Sequence, residues 1–267
     1  MVSAGSEGID ELRRFAMDLI RNVGEEAKVF YGRSKPQTKF DERLVTEAEL
    51  HLNDFFRNAL TAKFPEHQVF VNRDLDRDYS HGGKRYLWIF DPIDGVDNFQ
   101  AGIPIWGMSL ALLDNFWPTI GMFYMPATDD LFHAQVGESA FRGTTPIKIK
   151  AREAVDDESL LLTYSRFHHH YRTAFPGKIR NLGCTAAHIC YVATGRADAA
   201  VIANESYQDL ASTRVIIEAA GGKICKMDGS EFSIDEYQDG QRISEHLIVA
   251  APGNVEPVRA CLSSARP

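Results

Sequence analysis

Cysteine is scarce in this chain, and no arrangement of it suggests chemistry. The four cysteines, Cys184, Cys190, Cys225 and Cys261, form no CxxC pair. Neither a zinc site nor a disulfide framework is indicated, and free thiols in a reducing compartment are expected. Runs of lysine and arginine are missing too, and the formal net charge over 267 residues is −8. Nucleic-acid binding needs a basic face, so no nucleic-acid partner is expected. No stretch is apolar for the roughly 20 residues a membrane helix needs, and no apolar core of signal type stands near the N-terminus. A cytoplasmic protein with no membrane partner is the expectation. GxGxxG, P-loop and GxSxG patterns are absent, so nucleotide cradling and a serine-nucleophile elbow both lack their motif. Repeats and low-complexity linkers are absent as well.

What remains is a soluble globular composition, 44% hydrophobic, ample for a core. The length suits one large domain or two close-packed lobes. Helical and strand patterns alternate. Ile9–Phe30 carries apolar residues at helical spacing, and Thr46–Leu60 does the same with Thr46 as a cap. Strands are expected at His67–Val71, Tyr86–Phe90, Trp106–Leu113, Thr119–Tyr124, Leu131–Val136, Leu160–Thr163, Ala199–Ala203, Lys223–Lys226 and Leu247–Ala251. Cys184–Gly195, Leu210–Ala220 (stopped by Gly221-Gly222) and Val255–Leu262 read as helices. The polar, acidic stretch Lys150–Ser159 is the candidate junction between an N-terminal lobe, 1–150, and a C-terminal lobe, 151–267, of one compact unit.

The most informative segment is WIFDPIDGVDNFQAGIP, Trp88–Pro104. An apolar strand delivers two acids, Asp91 and Asp94, to its C-terminal end, where open sheets place ligands. Pro92 sets the turn, and Gly95 lets backbone approach whatever binds. Two carboxylates a few ångström apart repel by about 4 kcal/mol at an effective dielectric of 20, so a turn that gathers them calls for a proton or a divalent cation. Hard oxygen ligands suit Mg²⁺, which pairs one or two carboxylates with substrate phosphate. A helix starting near Gly95–Asn98 would turn its free N–H groups to the same spot. A plain Asx-type turn is the alternative for this tetrad alone.

Longer blocks extend the pattern. DPIDGVDNF with GIPIWGMSLAL, GCTAAHICYVATGRADA (Gly183–Ala199) and DLASTRVIIEAAGG (Asp209–Gly222) resemble, in order, the motifs of the inositol monophosphatase superfamily, with LVTEAE and GESAFRG as weaker echoes. The resemblance implies a layered αβαβα sandwich of the inositol monophosphatase/fructose-bisphosphatase type. It also implies a homodimer and Mg²⁺-dependent hydrolysis of a small phosphorylated metabolite, with Mn²⁺ as substitute. Carried over, it makes Asp91 a bridge between two metals, adds the Ile93 carbonyl and Asp94 as ligands, and has Asp209 complete the second metal and orient water. The N–H groups of Gly95 and Val96 would hold the phosphate.

Departures from the pattern converge on one function. Asn72 or Arg73 stands where the family has a metal-binding glutamate, and Val96 stands where it has a water-positioning threonine. Asp97 and Asp74 are candidate surrogates, Asp97 the stronger, with a helix-terminal acid and a solvated loop charge as their plainer readings. Glu49 and Lys39 stand near positions associated with a weaker third metal. Ile202 replaces a polyol-binding glutamate and Gln208 a tryptophan, while Glu205 is out of register. SRFHHHYR, Ser165–Arg172, reads as a solvated loop, or as a basic loop at the pocket mouth for a second anionic group. Two functions remain open: a phosphatase, acting on an inositol phosphate, a sugar (bis)phosphate or a 3′-phosphonucleotide, or a weakly catalytic relative that binds a phosphorylated ligand or protein partner.

Overall fold

The computed structural model describes residues 8–33, 42–71, 82–151, 154–238 and 241–265. Two amphipathic helices come first, α1 (Ile9–Lys28) and α2 (Glu42–Lys63). Leu12, Ala16, Leu19, Ile20, Val23 and Ala27 line the buried face of α1 at intervals of three and four. The buried stripe of α2 begins at Val45 and runs through Ala48, Leu52, Phe56 and Leu60. That stripe starts upstream of Thr46, so the helix does too, and Thr46 lies inside it rather than capping it.

A seven-stranded sheet follows: β1 (Gln68–Val71), β2 (Tyr86–Asp94), β3 (Gly107–Asp114), β4 (Trp117–Met125), β5 (Asp130–Gln135), β6 (Ala140–Arg142) and β7 (Thr145–Ile147), in that spatial order. β1 pairs parallel with β2 and the rest form an antiparallel meander. α3 (Val96–Ala101) follows β2 directly. The second sheet has the order β10-β8-β11-β13-β12, from β8 (Leu160–Thr163), β10 (Lys178–Arg180), β11 (Ala199–Ile202), β12 (Lys223–Lys226) and β13 (Leu247–Ala250). Helices α4 (Phe167–His170), α5 (Thr185–Ala193), α6 (Tyr207–Ala219) and α7 (Val255–Ala260) complete the fold with a small ribbon, β9 (Tyr171–Thr173) on β14 (Leu262–Ser264).

Period-two alternation divides the core into layers. Trp88, Phe90, Leu110 and Leu112 point to α1 and α2. Leu87, Ile89, Ala111 and Leu113 point the other way, into a layer built from α5 and α6. Ala200, Ile202, Leu247 and Val249 close that layer from the second sheet. Ala199, Val201, Ile248 and Ala250 face outward to Phe167, Val255 and Val258. The result is the expected α/β sandwich, helix–sheet–helix–sheet–helix.

Three local expectations change. β2 does not stop at Phe90 but carries Asp91 and Asp94 within it. The histidine stretch is not a loop; it forms α4 and runs into β9. The three-residue strands β6, β7, β9, β10 and β14 had no legible signal, because their pairing comes from neighbours distant in sequence. α6 lies so close on the sheet that a Cβ on Gly121 of β4 would run into the Ser212 carbonyl and the Val215 side chain. Gly121→Ala is therefore expected to cost about 1–3 kcal/mol by overpacking, read as a lower midpoint in urea unfolding. An unchanged midpoint would contradict this packing.

Candidate active site

The site is built where β2 ends. Along a regular strand, residues three apart face opposite ways. Here Asp91 pairs with Ser109 and Asp94 with Gly107, so β2 carries one extra residue over this interval. Such a bulge re-aims side chains, and by parity it turns Asp91 and Asp94 toward the same side. Gly95 then takes φ 87°, open to glycine at little strain, and opens α3. A Cβ there would stand 3.0 Å from the Ile105 carbonyl oxygen and 3.1 Å from Cys184 Cβ. Asn98 Nδ2 ties the turn down by donating to the carbonyls of Ile105 (2.6 Å) and Leu182 (2.7 Å).

Two helix starts meet these acids. The backbone N–H of Ala186, in the first turn of α5, donates to Asp94 Oδ2 at 2.6 Å, and the Thr185 N–H also bonds this carboxylate. The Cys184 thiol donates to the same oxygen at 3.3 Å. In the first turn of α6, Asp209 Oδ2 accepts the Ser206 N–H (2.7 Å) and hydroxyl (2.8 Å). Just ahead, Glu205 is buried and its Oε1 accepts the Thr185 hydroxyl at 2.9 Å. Gln208 Nε2 donates to the Phe90 carbonyl at 2.8 Å and so fastens α6 to the end of β2.

The acids work against one another. Burial pushes the Asp91 carboxyl well above the usual carboxylate range, and Asp209, Asp94 and Glu49 push it further. Burial raises Asp94, opposed by the Ala186 N–H. Glu205 is well above its usual value through burial, then through Asp209 and Asp94. Asp209 is raised by burial, with the Ser206 bonds and Arg242 opposing. Burial also raises Glu49. A cavity of about 590 Å³ opens beside them, lined by Asp94, Gly95, Val96, Asp97 and Thr185 among others, with no lysine or arginine among the described residues of its wall.

Asp91, Asp94, Asp209 and Glu49 thus share one electrostatic cluster. Ile93 is buried in the bulge between the two strand acids. Asp97 sits on the cavity wall, exposed, with Oδ1 accepting from Gln100 Nε2 at 3.4 Å; it is not among the charges acting on Asp91. Asn72, Arg73, Asp74 and Lys39 lie outside the described residues. Sequence reasoning undervalued Glu205, whose tie to Thr185 depends on the meeting of α5 and α6. It also missed Cys184, which the start of the GCTAAH block could have flagged.

The donors fit a hard divalent cation in kind: carboxylate oxygen throughout, crowded, without a lysine or arginine among the described residues of the cavity wall. Among the described residues, no three His, Cys, Asp or Glu side chains already form a group that could hold a metal ion. Asp94 is turned to α5 and Asp209 to its own helix start. In the unfolded chain these carboxyls ionise at about 4. Because their folded values are higher, ionisation works against the fold, and the metal-free protein should lose stability as pH rises from that value through the folded ones. Asp91→Asn should raise the melting temperature in EDTA at about pH 7 and do so less at about pH 4.5, where the acids hold protons. A lower melting temperature for the variant at the higher pH would contradict the crowding.

Comparison with known proteins places this geometry. The profile of the inositol monophosphatase family matches residues 9–260. A histidinol-phosphatase of Chlorobaculum parvum is 30% identical over 255 residues, covering 91% of this chain and 97% of its own. A fructose-1,6-bisphosphatase/inositol-1-monophosphatase of Thermotoga maritima is 27% identical over 224 residues, 81% of this chain and 85% of its own. A solved structure of a Thermotoga maritima IMPase superposes with a TM-score of 0.77 at 24% identity, over 94% of this chain and 96% of that one, a likeness of fold.

Proposed function

Because the chain belongs to the inositol monophosphatase family, whose members are phosphoric monoester hydrolases, we propose that it hydrolyses a small phosphorylated metabolite with Mg²⁺, or Mn²⁺ in its place. The observation that carries this reading is the cluster of Asp91, Asp94, Asp209 and Glu49 beside the start of α5. Asp91, the Ile93 carbonyl, Asp94 and Asp209 would hold the metal. Bound there, it would neutralise phosphate charge and make a ligated water more acidic. The chain's own part is orientation. The N–H groups of Gly95 and Val96, where the left-handed turn opens α3, would bond phosphate oxygens. Asp209 would orient the water on the leaving-group side. Thr185, held by Glu205, presents a hydroxyl to the cavity.

Val96 carries no hydroxyl, so the positioning of water that a threonine would give at this turn falls to another group. Asp97, on the same cavity wall, is our candidate. The same valine supports the second reading, a weakly catalytic protein that binds a phosphorylated ligand or a protein partner. For substrate, the names of the relatives suggest histidinol phosphate, inositol monophosphate and fructose 1,6-bisphosphate, and a 3′-phosphonucleotide is a further candidate. A homodimer is proposed from the family.

Phosphate release across such esters, with Mg²⁺ and with EDTA, tests the proposal. Turnover should require metal, and Asp91→Asn or Asp209→Asn should lower kcat by about 10²–10⁴. Release that ignores EDTA would refute it. Asn72→Glu combined with Val96→Thr should raise turnover more than the two single changes predict by addition, since both act on one water. Wild-type turnover already at about 10 s⁻¹ would show that no deficit exists. If Asp97 is the surrogate, Asp97→Asn abolishes turnover while the melting temperature stays within about 2 °C; the N-cap of α3 is Gly95, so the alternative role is that of a first-turn acid, worth only about 0.3–1 kcal/mol, whose replacement leaves turnover intact. Activity retained in that variant assigns Asp97 to the helix start alone.

A further inference from the structure

The stretch Ser165–Arg172 has no part in the acid cluster, yet it borders a second cavity of about 600 Å³. Tyr164 and Ser165 line both cavities, so the two adjoin. The second is also lined by Arg166, His170, Asn204, Ser244 and His246, and no carboxylate is among the described residues of its wall. Among the described residues the adjoining chambers are therefore opposite in character: acids without lysine or arginine in one, a guanidinium and two imidazoles in the other.

The second chamber is organised from three places in the chain. Tyr164, at the end of β8, bonds His170 Nδ1 through its hydroxyl at 2.8 Å. His246, just before β13, meets the Tyr171 hydroxyl at 2.8 Å and the Tyr164 hydroxyl at 3.4 Å, both at Nδ1. The two imidazole centres are 4.8 Å apart. Burial raises the pKa of both tyrosines, so their hydroxyls stay protonated and able to donate. Burial and the neighbouring His170 hold His246 below its usual value, so it is neutral at rest. A hydroxyl that donates into Nδ1 leaves the proton of a neutral ring on Nε2, as a donor. Among the described residues neither Nε2 has a partner, and Arg166 has no acid within ion-pair distance. His168 and His169 line neither cavity.

We propose that this chamber receives a second anionic group of the substrate, a carboxylate or a phosphate, while the phosphate to be removed lies beside Asp94. The inference rests on the phosphatase reading above and narrows its substrate class to monoesters whose alcohol portion is itself an anion. The physical ground is differential. An anion gains charge-assisted hydrogen bonds from Arg166 and the imidazoles, whereas a neutral polyol offers them no more than water does. His170 and His246 are half-buried and Arg166 is exposed, and among the described residues no acid lines the wall with them, so an anion supplies the charge that the wall lacks.

Matched esters test this. In Mg²⁺, kcat/KM is compared for fructose 1,6-bisphosphate against fructose 1-phosphate, and for 6-phosphogluconate against glucose 6-phosphate. In at least one pair the anionic member should lead by about tenfold or more, the discrimination expected of one or two charge-assisted bonds. The pair that responds identifies phosphate or carboxylate. Arg166→Ala and His246→Gln should remove most of that lead, acting through KM rather than kcat. No lead in either pair, or a lead that survives both substitutions, overturns the proposal. A second readout is independent of turnover and uses the unaltered protein: in EDTA, inorganic phosphate should shift the imidazole ¹H–¹⁵N resonances of His170 and His246. If no ester is hydrolysed but those shifts occur and weaken in Arg166→Ala, the phosphatase reading fails and the anion site stands. If the esters are hydrolysed without preference and the resonances do not move, the site fails and the phosphatase reading stands.

Discussion

Like charge crowded into a shielded corner is the constraint on which this structure turns. Asp91 feels Asp209, Asp94 and Glu49 at once, in a place where burial already disfavours ionisation. Buried charge is tolerated where hydrogen bonds or counter-ions answer it. Here the hydrogen bonds answer only part: Ile93 N–H for Asp91, two N–H groups of α5 for Asp94, and Ser206 for Asp209. Arg242 opposes the raised values of Asp209 and Glu205, and its Nη1 is bonded to the Asn204 carbonyl. The surrounding fold therefore has to hold the acids together against their own repulsion.

It does so with backbone-anchored ties. Gln208 binds α6 to Phe90 at the end of β2, Asn98 binds α3 to the two turns that flank the cavity, and Asp94 itself takes the first N–H groups of α5. The acids stand on β2, the start of α6 and the body of α2, whose relative positions are set by large apolar layers, not by the acids. A site mounted on rigid elements keeps its geometry when charge is added or removed. The β2 bulge is the device that turns two acids of one strand toward the same side.

The second chamber shows how the same scaffold separates charges of opposite sign. The acids come from the first sheet and the helix starts behind it. The imidazoles and Arg166 come from the ends of second-sheet strands and from α4. Tyr164 and Ser165 form the boundary, so a ligand spanning it would present different chemistry to each side.

The helices, the main strands and the strand acids were legible in the order of residues, and the layered sandwich was legible through the resemblance of three blocks to the inositol monophosphatase superfamily. Helical spacing in Ile9–Lys28, the apolar runs Tyr86–Phe90 and Trp106–Leu113 bounded by turn residues, and the glycine pair after α6 are local patterns, and local patterns report local structure. That acids gather here was legible too, since Asp91 and Asp94 stand three residues apart at the end of one apolar strand. Other features required the assembled chain. Asp91 and Asp94 face the same side only through a bulge that exists in the pairing with β3. Glu205 looked out of register until α5 and α6 brought Thr185 to it. Gln208, read as a lost aromatic, is the tie between α6 and β2. His246 stands 76 residues beyond His170 and joins it only across the edge of the second sheet. Periodicity is a property of neighbours in sequence; charge clusters, shared cavities and the sign of a chamber wall depend on side chains that only folding makes neighbours.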